Sequence, residues 1–176
     1  MLGERSSEAL PKLVLTRVFA APRALVFQAW TDPRHMARWW GPKGFSNPVC
    51  EMDVQAGGRI RIDMRAPDGT VYPMTGMFRE VVAPERLVFV CYAIPDNDGN
   101  PRLEVVNTVT FAERAGKTTL TLQAVVVNAA PGTETALDGM ETGWTQSLDR
   151  LADIVVKRAS RGRKTWPTEP PSTPAL

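Results

Sequence analysis

The chain has 176 residues, 43% of them hydrophobic and 15 of them proline, which suits one domain with a sizeable core plus polar tails rather than a mini-protein held by staples. Its formal net charge is +2, but Lys157, Arg158, Arg161, Arg163, Lys164 and Glu169 together contribute +4, leaving residues 1–156 at −2 and arguing against a nucleic-acid-binding body. No stretch reaches the roughly 18 apolar residues of a membrane span, and the opening MLGERSSEAL has no apolar export core, so the expected location is the cytoplasm.

Residues 1–11 read as a flexible, polar lead-in. The β-branched and aromatic run from Lys12 to Phe19 predicts a first strand. Pro22 can occupy the first turn of a helix reaching Thr31, with Val26, Ala29 and Trp30 on one face. Asp32 and Pro33 then supply an N-cap and a first helical residue for a short helix to Trp40, which Gly41 stops and Pro42 keeps from extending.

From Val49 the period of the apolar positions changes from 3.6 to 2. Cys50, Met52 and Val54 alternate with Glu51 and Asp53, and Ile60, Ile62 and Met64 alternate with charged residues between Arg59 and Arg65, the pattern of strands with one wet face. Turn residues at Ala66–Gly69 and Ala83–Arg86 separate strands over Val71–Val82 and Leu87–Ala93. A loop at Pro95–Pro101 leads to strands over Leu103–Phe111 and Thr118–Val127, joined by a hairpin at Glu113–Lys117. Cys50 and Cys91 lie far apart in apolar runs without a C-x-x-C or a histidine companion, which reads as buried thiols rather than a disulfide or a metal site.

The last element is predicted as one helix from Thr133 to Arg158, about 33 to 39 Å long, with Leu137, Met140, Glu141, Trp144, Leu148, Leu151, Ile154 and Val155 in a single stripe. Gly139 and Gly143 interrupt that stripe at about 1 kcal/mol each relative to alanine. They imply either close packing where no Cβ fits, or a ligand or moving segment along that face. Residues 159–176 form a basic, proline-rich tail expected to be disordered. The predicted order is therefore β-α-α-β6-α: an α+β domain over residues 12–158, with a curved antiparallel sheet of about seven strands wrapped on the C-terminal helix, and a gap where helix and sheet diverge.

Several ordered fragments carry a resemblance: Arg17–Pro22 (RVFAAP), Ala29–Pro33 (AWTDP), Arg38–Pro42 (RWWGP), Gly57-Gly58, Pro84–Leu87 (PERL), Lys117–Leu122 (KTTLTL) and Gly139–Trp144 (GMETGW). As a set they are similar to bacterial single-domain proteins resembling the C-terminal domain of the activator of heat-shock protein 90 ATPase, within the START-like, helix-grip superfamily. The resemblance implies a hydrophobic ligand enclosed between sheet and long helix. It also implies two other readings: contact with a chaperone, although the chaperone activator itself is a larger two-domain protein, or an enzyme of the cyclase or aromatase type.

The inward residues expected to surround the gap are Met64, Phe89, Asn107, Val109 and Leu122 from the strands and Met140 and Trp144 from the helix, with Trp39 and Trp40 either closing it or serving as a structural plug. Asn107 interrupts an apolar face, so its amide must bond a neighbouring group, a trapped water or a ligand. His35, the single histidine, sits on the short helix and reads as a rim residue, while Glu51 and Asp53 read as outer-face charges. No G-x-S-x-G, Walker A or G-x-G-x-x-G pattern occurs. The expected partner is a small hydrophobic or aromatic molecule bound without metal, nucleotide or covalent cofactor and without turnover, by a monomer or homodimer.

Overall fold

The computed structural model describes residues 10–164. Its elements are β1 (Lys12–Phe19), α1 (Arg23–Thr31), α2 (Pro33–Trp39), β2 (Ser46–Met52), β3 (Arg59–Arg65), β4 (Val71–Val82), β5 (Arg86–Pro95), β6 (Pro101–Arg114), β7 (Lys117–Ala129), α3 (Glu134–Asp138) and α4 (Met140–Lys164). The seven strands form one antiparallel sheet in the order β1-β7-β6-β5-β4-β3-β2. The first strand pairs with the last, from Lys12 opposite Val125 to Phe19 opposite Thr118. Two strands consecutive in sequence, β1 and β2, thus form opposite edges, and α1 and α2 carry the chain between them.

Local chemistry accounts for these elements. The Asp32 carboxylate accepts from the Arg34 backbone N–H at 2.9 Å and caps α2, with Pro33 in its first turn. Pro22 stands at the N-cap of α1 rather than inside its first turn. Strand β2 begins at Ser46, earlier than the expected Val49. A register shift between Ser46 and Val49 accommodates Pro48, which an edge strand tolerates because it need not donate to a neighbour. The β6–β7 turn has positive φ at Ala115 (51°) and Gly116 (73°), the geometry that matches the twist of a tight hairpin. Gly58 is obligatory, since a Cβ there would lie 1.8 Å from the Asp53 carbonyl oxygen.

The expected single C-terminal helix is broken at Gly139, whose φ of −85° and ψ of −5° depart from α-helical values. Hydrogen bonds from Gly139 N–H to Thr135 O and from Gly143 N–H to Gly139 O carry the chain across, so α3 and α4 meet at a tightened turn rather than a loop. A poor helix former at an exposed position makes this the place where the run gives way. Helix α4 continues past Arg158 to Lys164, while the rest of the expected tail and most of the lead-in lie outside the described residues.

Helix α4 packs on β1, α1 and α2 over the inner face of the sheet. Its fully buried residues are Leu148, Leu151 and Val155, whereas Trp144, expected at the heart of the core, is only half-buried. The central aromatic is Trp30 of α1, wholly buried and in ring contact with Trp39, Phe89, Phe111 and Trp144. Leu151→Ala is therefore expected to lower stability in urea denaturation by about 2–5 kcal/mol, and Trp144→Ala by less.

Candidate functional site

Where the start of α4 diverges from the sheet, the inner face holds a recess of about 190 Å³ that opens to solvent. The strands contribute Met64, Met74, Cys91, Ala93, Leu103, Val105 and Asn107; the helices contribute Ala136, Met140, Gly143, Trp144 and Ser147. The rim is Trp40, Gly41 and Pro42. No charged side chain lies among these residues.

Of the nine residues expected around the gap, Trp40, Met64, Asn107, Met140 and Trp144 border the recess. The other four are corrections. Trp39 is buried against Trp30, its indole N–H donating to Ala29 O at 2.9 Å, so it is the structural plug rather than a wall. Phe89, Val109 and Leu122 face inward as expected but do not line the recess: Phe89, level with Asn107, lies against the rings of Trp30 and Trp40, and Val109 and Leu122, paired one step farther along the sheet, are buried in the main core. Trp40 and Trp144 meet edge to face at 5.2 Å and 82° and form the aromatic corner of the recess.

Asn107 is 1% exposed, on a central strand opposite Phe89 and Ala124. Its Nδ2 makes two long contacts of 3.4 Å, to Cys91 Sγ and Val105 O, and its Oδ1 has no partner among the described residues. Burial pushes the Cys91 thiol up to about 12 and the Cys50 thiol up to about 11, so both are protonated at neutral pH.

The rim loop is held by residues with no motif to announce them. Arg150 of α4 donates through Nη1 to the carbonyls of Trp40 (3.1 Å), Gly41 (3.0 Å) and Pro42 (3.1 Å), and through Nη2 to those of Arg38 (2.9 Å) and Phe45 (3.0 Å). Gln146 Oε1 accepts from Lys43 N–H at 3.0 Å, and Asn47 Nδ2 donates to Ala37 O and Trp40 O at 2.9 and 2.8 Å. Gly41 makes the turn possible at a φ of +94°, with its α-carbon side facing Met64. The signal for Arg150 was its register: it follows Gly143 and Ser147 at steps of four and three, on the face that overlooks the recess.

Gly143 is not required by close packing, which corrects that expectation. A Cβ there would meet Pro42 Cγ at 3.9 Å, an ordinary contact, and a Cβ at Gly139 would come no nearer than 3.4 Å to anything around it. What Gly143 does is leave room at the wall of the recess.

The family model described as activator of Hsp90 ATPase homolog 1-like protein matches residues 20–156. The chain belongs to this family. Its fold is the START-like helix-grip of solved bacterial members. The Silicibacter pomeroyi AHSA1 protein is 25% identical, with a TM-score of 0.69 over 84% of this chain and 99% of its own. A Chromobacterium violaceum protein is 29% identical, with a TM-score of 0.70 over 82% and 96%. An Arthrobacter aurescens protein is 25% identical, with a TM-score of 0.74 over 83% and 86%. No functionally curated protein matches the chain.

His35, the single histidine, lies away from the recess, between α2 and α4. Its Nδ1 is 3.0 Å from Arg158 Nη1 and 3.9 Å from Asp32 Oδ2, so the neutral ring accepts from the guanidinium. Glu51 and Asp53 are exposed on the outer face of the sheet, beside Arg59 and Arg61. No group of three potential metal ligands occurs among the described residues, and no described helix is long and apolar enough to cross a membrane.

Two measurements probe this frame. Arg150→Met removes a donor from five carbonyls, of which Trp40 O keeps Asn47 Nδ2 and Pro42 O keeps the Phe45 N–H, and is expected to cost about 2–3 kcal/mol, with faster amide exchange across residues 38–45. His35 has its pKa lowered from 6.5, first by burial and then by Arg158, with Arg34 and Arg38 adding to the effect and Asp32 opposing it. The unfolded chain therefore binds this proton more readily, and stability is full above about pH 6.5 and falls as pH drops toward the folded pKa. Wild type should lose more stability than His35→Gln between pH 7.5 and 5.5, read as urea midpoints; the Asp32 carboxyl, held down at about 2 chiefly by its bond to the Arg34 side chain, titrates well below that window.

Proposed function

We propose that this protein binds a small, uncharged, apolar molecule in the recess between the sheet and α4, without chemical turnover. The observation that carries the reading is a recess of about 190 Å³ walled by two indoles, three thioethers and aliphatic groups, with no charged side chain in its lining. An ionised ligand would lose its hydration there and gain no counter-charge. The groups that do proton or nucleophile chemistry elsewhere are poorly placed for it: His35 is outside the recess, and Cys91 is held as a neutral thiol. Two free thiols suit a reducing, cytoplasmic location.

The family description supports a second reading, contact with a chaperone of the Hsp90 type. It ranks below ligand binding because the description names an activity of a relative, whereas the recess is a feature of this chain.

Toluene is expected to bind wild type saturably at one molecule per chain, with a change in tryptophan emission. Gly143→Leu tests where it binds. The leucine improves helix propensity by about 1 kcal/mol, so the variant folds, while its side chain projects into the recess. Toluene affinity should fall at least tenfold in Gly143→Leu with the thermal midpoint unchanged or raised. Saturable binding that this substitution leaves intact would move the ligand elsewhere, and native mass spectrometry of freshly purified protein would identify any molecule that co-purifies.

A further inference from the structure

The Asn107 amide gives the recess a more definite chemical preference. We infer that the ligand is a single-ring aromatic molecule carrying one neutral hydrogen-bond donor, a phenolic hydroxyl or a ring N–H, which bonds Asn107 Oδ1. The inference rests on the binding reading above and narrows it.

Three observations converge. Asn107 is 1% exposed and borders the recess, yet Oδ1 has no partner and Nδ2 makes only 3.4 Å contacts. A buried amide left half-satisfied is costly, and a donor brought by a ligand removes that cost when it binds. Water entering through the open side competes for this acceptor, but the wall around it is mostly hydrocarbon and sulfur, and a ligand that brings a donor also covers that apolar wall, which water does not.

Size sets the second limit. An engineered apolar cavity of about 150 Å³ takes a benzene ring, so about 190 Å³ holds one substituted ring, and the rest of any larger ligand would project through the open side of the recess. The third observation is the wall itself. The Trp40–Trp144 corner and the thioethers of Met64, Met74 and Met140 favour an aromatic ring through edge contacts and sulfur–π contacts. The thioethers are also adaptable, and the asparagine χ2 is soft, so small rotations bring Oδ1 and the donor together. The neutral lining keeps the donor un-ionised: a phenol, not a phenolate.

The test compares phenol with toluene, which differ in the hydroxyl but hardly in size, on wild type and on Asn107→Leu, by calorimetry. The ratio of the two dissociation constants cancels the general preference of the recess for apolar molecules. Replacing Asn107 by leucine should shift that ratio about tenfold toward toluene, the worth of one buried hydrogen bond. Toluene binding by Asn107→Leu doubles as evidence that the variant is folded. If toluene binds both proteins and the ratio does not change, the inference fails while the binding reading stands. If neither compound binds wild type, both fail.

Discussion

The indole of Trp30 meets α2 through Trp39, β5 through Phe89, β6 through Phe111 and α4 through Trp144, with ring centroids 4.7 to 6.2 Å apart. One side chain thus touches every layer of the domain, and each such pair adds roughly 0.5–1.5 kcal/mol beyond the apolar area it buries. Its Nε1 is buried without a partner among the described residues, a cost of about 1–3 kcal/mol that the surrounding contacts offset. Because α1 and α2 span from the β1 edge to the β2 edge, fixing Trp30 in the middle fixes where the crossover lies, and so where α4 can rest.

That packing is dense at one end and open at the other. Around Phe89, Val109 and Leu122 the rings of α1 and the stripe Leu148, Leu151 and Val155 belong to one buried cluster, with a void of only about 10 Å³ beside Phe89. Toward Leu103, Val105 and Asn107 the helix begins again after Gly139, with Gly143 in the first turns of α4, and the gap there is not filled. A recess in this position would close up if its rim were free to collapse inward. The rim loop is instead suspended from outside by Arg150, Gln146 and Asn47 through its backbone, so its shape does not depend on what occupies the space beneath it. Placing a guanidinium among five carbonyls supplies donors that the non-repetitive loop itself provides to only some of them.

Membership of the family ties this architecture to other bacterial helix-grip domains and identifies the scaffold, but a scaffold of this kind serves many ligands. The wall of the recess in this chain is sulfur, indole and one amide whose Oδ1 has no partner among the described residues. Those residues come from β3 to β6 and from both C-terminal helices, so no short segment contains the site.

The sequence by itself determined the class of the fold and most of its elements. Period-2 alternation and turn residues mark the strands, Asp32-Pro33 marks the start of α2, and the stripe ending at Val155 marks the last helix, because these signals are local and depend on backbone geometry alone. It also put Met64, Asn107, Met140 and Trp144 on inward faces, together with Phe89, Val109 and Leu122, and set Trp39 and Trp40 at the close of the gap; of these, Trp40, Met64, Asn107, Met140 and Trp144 border the recess. Only the tertiary structure decided which inward residues meet a cavity and which meet a neighbour. Phe89 and Asn107 are cross-strand partners on the same inner surface, and nothing in the sequence says that the tryptophans of α1 and α2 cover the one while the other borders a recess. For Arg150 the register gave a face and nothing more: an arginine on a helix reads as solvated until the fold brings five backbone carbonyls within reach from a loop more than a hundred residues away. Periodicity reports the face a side chain points to; what stands opposite that face depends on contacts between distant segments, which only the assembled chain supplies.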